Sequence, residues 1–298
     1  MSSYIPRLVK EGKIFPPRWL ENNVMFEGIT GSVAYGVSND SSDMDIIGFC
    51  IPPKDVVFPH LRGEIPGFST PGERFEQFQQ HHIEMKEWGK TFDITIYSIV
   101  KFVQLAMENN PNMVDSLFLP RRCVLHSTQI YEHLRENRQL FLHKGSWHKF
   151  RGYAYSQLSK VKGKTNPSNE KRAASVEKHG FDVKFAYHVV RLLLEVEQIM
   201  MEGDLTLDRN AKMLKSIREG EWTLQELEDW AGAKEKQLEA LYHTSSIPHS
   251  PDQDRIKALL MECMEMHYGS LSSVIHQEVP QSALIDDLEQ LIRKYRRR

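Results

Sequence analysis

The sequence predicts an α+β protein, with a mixed β-sheet early in the chain and an α-helical half after it. Three observations carry that expectation. Val24 to Ile29, Asp43 to Ile51 and Lys90 to Tyr97 read as strands; the last alternates strictly, with Phe92, Ile94 and Ile96 on one face and Asp93, Thr95 and Tyr97 on the other. From Ser98 the period changes, and Ile99, Phe102, Val103 and Ala106 recur at helical spacing. Beyond residue 120 helical patterns follow one another almost without interruption. The expected organisation is a sheet-bearing domain over residues 1–125 and an α-helical domain over 126–298.

Composition sets the limits. The chain has 298 residues, 40% hydrophobic and 26% charged, with a net charge of −2, which is ample for a sizeable core. This balance excludes a protein that coats nucleic acid by bulk charge, so any polyanion site must be a local patch. Cys50, Cys123 and Cys263 form no C-x-x-C pair and read as reduced thiols. The N-terminus lacks a signal-peptide core, and no apolar run of about 18 residues occurs. A cytoplasmic protein with no membrane span is expected.

Taken in order, residues 1–23 are a leader in which Phe15-Pro16-Pro17 interrupts regular structure. After the first strand, Tyr35 to Asp40 forms at most one helical turn. The second strand is stopped by Pro52-Pro53. Residues 54–88 read as an insertion at the edge of a site, with Pro59, Pro66 and Pro71 alternating with Gly63, Gly67 and Gly72. His81 and His82 follow, and as neighbours in an extended segment they point apart and read as surface residues. Asn109-Asn110-Pro111-Asn112 ends the helix that begins after Ser98.

Further helices are expected near 127–142, 146–161, 181–202, 209–219, 223–243, 251–268 and 281–296. Thr223-x-x-Glu226 is a capping box, Ser250-Pro251 a cap with a following proline, and Gly203 and Gly269 are stops. The polar stretch from Lys160 to Lys178, broken by Gly163 and Pro167, predicts a mobile basic loop. It is either a solvated linker or a cover over phosphates, in which case Lys160, Lys164 and Arg172 are candidates to touch an acceptor. The helix from Phe181 is apolar around most of its circumference, yet Lys184, His188, Arg191 and Glu195 form one stripe. A polar stripe on a buried helix needs partners. Either acids satisfy it internally, or it lines a cleft and meets phosphate. The basic end Arg293-Lys294-Tyr295-Arg296-Arg297-Arg298 reads as a solvated terminus or an RNA contact.

The chemistry concentrates in Gly28-Ile29-Thr30-Gly31-Ser32-Val33-Ala34-Tyr35-Gly36 and in Ser42-Asp43-Met44-Asp45-Ile46-Ile47-Gly48. Strand alternation puts Asp43 and Asp45 on one face. Two like charges that close repel, and a divalent cation is the usual remedy. Gly31-Ser32 offers backbone N–H groups and a hydroxyl to phosphate. If the Lys90–Tyr97 strand lies beside this one, Asp93 completes a triad able to hold two metals about 4 Å apart; Glu84 and Glu87 are weaker candidates. No Walker-A motif, Rossmann glycine fingerprint, H-E-x-x-H or G-x-S-x-G occurs.

A Gly-Ser turn followed by Asp-x-Asp resembles the DNA polymerase β-like nucleotidyltransferase superfamily. The fuller string Gly31-Ser32-x-Ala34-Tyr35-Gly36 … Ser42-Asp43-x-Asp45 resembles its RlaP-type branch, associated with RNA repair. Tyr97-Ser98-x-x-Lys101-Phe102, Asn110-Pro111-Asn112, Leu117-Phe118 and Gly180-x-x-x-Lys184-x-x-x-His188-x-x-Arg191-Leu192 are similar to the same family. The resemblance runs from about residue 24 to about residue 230. It implies a polymerase β-like palm with an appended helical domain, and a transferase moving NMP from an NTP to a hydroxyl with release of pyrophosphate. Asp43, Asp45 and Asp93 would hold Mg²⁺ or Mn²⁺, and Gly31, Ser32, Tyr35, Lys184, His188 and Arg191 the nucleotide. The implied acceptor is an RNA end, a tRNA among the candidates. Transfer to a protein or small molecule, and a non-catalytic NTP- or RNA-binding module, are the alternatives. Base preference and oligomeric state have no sequence signal.

Overall fold

β1 (Val24–Ile29) is buried at every position, so it must lie inside a sheet rather than at an edge. The computed structural model, which describes residues 3–39, 42–63, 74–85, 87, 89–162, 170–270 and 288, places it between two antiparallel partners, β2 (Met44–Cys50) and β5 (Val124–Ser127). Beyond β2 lies β4 (Lys90–Ser98), parallel to it, and β3 (Gln77–Met85) forms the far edge, antiparallel to β4. The order is β3-β4-β2-β1-β5, the mixed sheet that the alternation predicts. β5 has only four residues, too few for a period to show, and the expected boundary at 125/126 falls inside it.

The crossover from β2 to β4 carries α3 (Lys54–Val57), a 3₁₀ turn and β3. Part of the expected insertion is therefore an edge strand of the sheet itself. The leader also departs from expectation: α1 (Ile5–Lys10) forms ahead of Phe15-Pro16-Pro17 and buries Ile5 and Leu8. It brings Ser3 and Tyr4 onto Glu27, a fully buried acid in β1. The Ser3 hydroxyl donates to Glu27 Oε2, and the Tyr4 N–H donates to Oε1 at 2.9 Å. Burial still pushes the Glu27 carboxyl up.

One face of the sheet is covered by aromatic packing. Phe26 stacks on Tyr131 at 3.9 Å, and Phe49 packs on Phe102 at 4.9 Å; each buried ring contributes about 1.5–3 kcal/mol. Phe102 belongs to α4 (Ile99–Met107), whose N-cap Ser98 accepts from the Lys101 N–H. Asn110-Pro111 lies just past the end of that helix and also begins the next, α5 (Pro111–Leu117), with Asn110 as N-cap.

The helical half comprises α6 (Gln129–Glu136), α7 (Gly145–Lys162), α8 (Glu170–His179), α9 (Val183–Glu202), α10 (Ala211–Arg218), α11 (Leu224–Thr244) and α12 (Gln253–Tyr268). α9 is its centre and packs on α7, α10 and α11. Its N-cap Asp182 accepts from Lys184 and Phe185 N–H, and Gly203 at φ +62° ends it. The Thr223–Glu226 capping box is formed. α12 is capped by Asp252, not Ser250, because the Asp252 carboxylate reaches the Arg255 N–H. The stretch from Lys160 to Lys178 is not one loop: α7 runs to Lys162 and α8 occupies its second half. The expected helix over 281–296 and the basic C-terminal run lie outside the described residues, Leu288 apart.

α12 packs back on α4 and α6, and buried apolar residues from Ile5 to Cys263 form one cluster. The two halves thus share a core. Cys50, Cys123 and Cys263 are free, buried thiols. Burial pushes Cys50 up to about 12 and Cys263 up to about 11, so they are packing groups rather than nucleophiles.

Candidate active site

The site begins where β1 ends. Thr30 N–H donates to the Asp45 carbonyl at 2.8 Å, and the chain then turns into α2 (Gly31–Ala34) with Gly31 at φ +64°. Glycine is required twice here. The left-handed backbone disfavours a side chain, and a Cβ would lie 2.2 Å from Asp45 Oδ2. The phosphate-type turn and the acidic strand are therefore in direct contact. The helical turn falls at Gly31–Ala34, earlier than the expected Tyr35–Asp40.

Asp45 pairs in register with Asp93 across the parallel β2–β4 ladder, so the two carboxylates share a face of adjacent strands, which run about 4.8 Å apart. Asp43 stands just ahead of β2, which begins at Met44, and lines the same cleft. Burial raises the Asp45 carboxyl above its usual range; Lys184 opposes the shift, and the charges of Asp93 and Asp43 add to it.

β3 supplies a feature that alternation hides. Its register against β4 slips between Gln80 and Ile83, and His82 adopts φ +55°, a bulge that re-aims the strand. His82 N–H donates to Asp93 Oδ1 at 2.7 Å, and His81 Nδ1 lies 3.5 Å from the same oxygen. Both histidines are exposed, as the sequence predicts; the His81 imidazole and the His82 backbone N–H nevertheless meet at Asp93, and His82 lines the cleft.

The cleft has a volume of about 730 Å³. Gly31, Ser32, Asp43, Asp45 and Asp93 form its sheet wall. Lys184, Tyr187 and His188 of α9 face them, with Ser175 of α8 and Lys215 and Arg218 of α10. Burial pushes the Tyr187 phenol up to about 12, with Arg191 and Arg218 opposing.

Two expected nucleotide contacts are elsewhere. Arg191 and Tyr35 are 5% and 3% exposed and sit in a buried network beneath the cleft. Arg191 Nη1 donates to Asp115 Oδ2 at 2.8 Å and to both Glu195 oxygens at 3.0 and 2.8 Å. Its guanidinium lies 4.5 Å from the Tyr35 ring centroid, and the Tyr35 hydroxyl donates to Asp115 Oδ2 at 2.5 Å. Burial raises both Asp115 and Glu195, with Arg191 opposing. The stripe on α9 thus divides by depth: Lys184 and His188 reach the cleft, while Arg191 and Glu195 pair with each other and Arg191 with Asp115 in the core. Lys160 is exposed on α7, with its ammonium 5.4 Å from the Phe185 ring centroid, and does not line the cleft. Arg172 falls on α8, and Lys164 lies outside the described residues.

Ser175, Tyr187, Lys215 and Arg218 have no distinguishing sequence signal. Lys215 and Arg218 show the spacing of any solvated helix face.

The three carboxylates are the donor chemistry Mg²⁺ and Mn²⁺ take. As placed, no three His, Cys, Asp or Glu among the described residues already form a cage; Asp93 Oδ1 is engaged by the His82 N–H. The Asp45 carboxyl is raised first by burial and further by the charges of Asp93 and Asp43, and a bound cation would offset both, so the residues fit the ion. No helix among the described residues is long and apolar enough to cross a membrane.

A mixed sheet that sets a Gly-Ser turn against an Asp-x-Asp strand and a parallel neighbour's aspartate, under helices, is the palm of a polymerase β-like nucleotidyltransferase. The chain belongs to the RlaP family, the RNA repair pathway DNA polymerase beta family, whose model matches residues 10–263. It is similar to the crystal structure of a nucleotidyltransferase-like protein from Exiguobacterium sibiricum 255-15, at 11% identity over 98% of this chain and 89% of that one, with a TM-score of 0.28. No curated protein matches the sequence.

Proposed function

We propose that the protein transfers NMP from an NTP to a hydroxyl at an RNA end, a tRNA end among the candidates, and releases pyrophosphate. The observation that carries this reading is the register of Asp45 with Asp93 at a cleft that also holds Gly31 and Ser32. An acidic wall beside a phosphate-type turn suits in-line attack at a phosphorus, and the family's association with RNA repair favours RNA as acceptor.

Gly31 and Ser32 would hold the phosphate tail through backbone N–H and hydroxyl. Lys184, whose charge acts on Asp45, would offset negative charge developing at the reacting phosphorus. Asp93, oriented by the His82 N–H, would take the proton of the attacking hydroxyl. Asp43 and Asp45 would hold Mg²⁺ or Mn²⁺ with the nucleotide, and Asp93 would share a second ion. Bound there, the metal supplies Lewis-acid polarisation and a lower hydroxyl pKa.

The test is transfer of α-³²P from each NTP, with Mg²⁺ or Mn²⁺, to mixed total RNA and protein, comparing wild type with Asp43→Ala/Asp45→Ala. Label in RNA that RNase removes and the variant lacks is the expected result. Label in protein instead would replace the acceptor, and no label with either metal would overturn the reading.

A further inference from the structure

Three cations line the cleft without being drawn into an ion pair. Among the described residues Lys184, Lys215 and Arg218 form no ion pair, while Arg191, a short way along α9 from Lys184, is paired twice. Cations facing a cleft without a carboxylate partner mark a place for an anion. Lys215 and Arg218 lie on α10, across the cleft from the acids.

Arg218 is the more telling. Its Nη1 donates to the Val37 carbonyl at 2.5 Å, and its guanidinium lies 5.2 Å from the Tyr187 ring centroid. Val37 N–H in turn donates to the Ser32 carbonyl at 2.9 Å. The guanidinium is therefore held beside the Gly31-Ser32 turn, with one of its five N–H donors used in that bond. A preorganised fork with donors to spare suits a phosphate oxygen pair better than a flexible ammonium does. Glu219 also lines this end of the cleft. It follows Arg218 directly and stands one helical turn past Lys215, and among the described residues it forms an ion pair with neither.

We infer that Lys215 and Arg218 form a clasp for the distal phosphates of the donor, so that α10 selects a nucleotide by its phosphate count rather than its base. The inference deepens the reading above and rests on it only in making the ligand a nucleotide. Lys184 stands over Asp45, where the reacting phosphorus would lie. Arg218 stands by the Gly-Ser turn, where the tail would end.

The experiment is equilibrium binding of ATP, ADP, AMP and inorganic tripolyphosphate by titration calorimetry on the full chain, which needs no turnover. Arg218→Gln and Lys215→Gln are compared with Lys212→Gln, the same charge change at an exposed residue of the same helix outside the cleft. Each clasp variant is expected to lose about 10–100-fold in affinity for ATP and tripolyphosphate, the weight of a charge-assisted hydrogen bond, and little for AMP. Arg218→Lys should recover part of the loss. Equal ATP affinity in all variants, or equal losses for ATP and AMP, would overturn the clasp, and so would a loss in Lys212→Gln as large as in the others. Should Arg218→Gln fail to fold, Lys215→Gln and Arg218→Lys decide. A protein that binds tripolyphosphate through these residues yet labels no RNA would sink the proposed reaction and leave the clasp standing.

Discussion

Replacing Arg191 by methionine separates a buried structural cation from a phosphate ligand. The substitution keeps the stem volume but removes the charge that two buried acids share, Asp115 at 2.8 Å and Glu195 at 2.8 Å. Breaking a buried pair by deleting one partner costs about 3–5 kcal/mol, a third or more of the roughly 5–15 kcal/mol that holds a domain folded. Neither acid can reach water, and Tyr35 can donate only to Asp115. The expected loss therefore lies toward the upper end at neutral pH.

The pH dependence has a definite sign. Burial already raises Asp115 and Glu195 in the folded state, and removing Arg191 takes away the group that opposes it. A carboxyl whose folded pKa is above its unfolded value contributes stability below the unfolded pKa and loses it as pH rises through the folded one. The cost of Arg191→Met should therefore be smaller at pH 5 than at pH 8. Urea unfolding at both values, with ATP binding measured alongside, is the assay. If Arg191→Met unfolds like the wild type while ATP affinity falls tenfold, Arg191 is a phosphate ligand and the buried network has been misjudged.

Three further substitutions test neighbouring points. Gly31→Ala places a methyl 2.2 Å from Asp45 Oδ2 at φ +64°; the backbone costs about 1–2 kcal/mol, and displacing the carboxylate by about 1 Å should cost roughly 100-fold in transfer. Undiminished transfer in a folded Gly31→Ala protein would count against Asp45 as an essential acid. Glu27→Gln removes a carboxyl raised by burial; that carboxyl's contribution is present below its unfolded pKa and lost as pH rises through the folded value. The wild type should lose stability relative to the variant between pH 5 and pH 8, and parallel denaturation profiles would contradict the assignment. His82→Gly keeps the N–H that orients Asp93 and accepts φ +55°, whereas His82→Pro has no such donor. Transfer should survive the first and fall in the second, and loss in both would shift the role to the imidazole.

What the sequence revealed of this site follows from where its signals are local. Asp43, Asp45 and the Gly31-Ser32 turn are close along the chain, and alternation alone puts Asp93 on the polar face of its strand. Their convergence needs only that the two strands be neighbours, which the β2–β4 register provides. Periodicity fails where depth matters. It aligns Lys184, His188, Arg191 and Glu195 on one side of α9, but does not say that α9 passes from cleft to core between His188 and Arg191. It also fails where one residue breaks it, as at His82, whose positive φ accompanies a bulge that brings its own N–H and the His81 imidazole to Asp93. Arg218 was illegible for a third reason: its partner Val37 lies far away in sequence, and nothing on an amphipathic helix separates a guanidinium bound for a cleft from one bound for water.

The division of α9 ties the phosphate-type turn to the helices from below. Tyr35, three residues past Ser32, donates to Asp115 of α5; Asp115 accepts from Arg191; and Arg191 is held by Glu195 one turn further along α9. The same helix carries Lys184 to the cleft, where its charge acts on Asp45. The position of the turn and the position of the cleft cation are therefore set by one rigid element, through charge buried where water cannot loosen it. A shift of α9 along its axis would strain the Tyr35–Asp115–Arg191 contacts and withdraw Lys184 from Asp45 together. That coupling gives an ion pair costly to bury a use beyond stability: it fixes how far the cation stands from the acids.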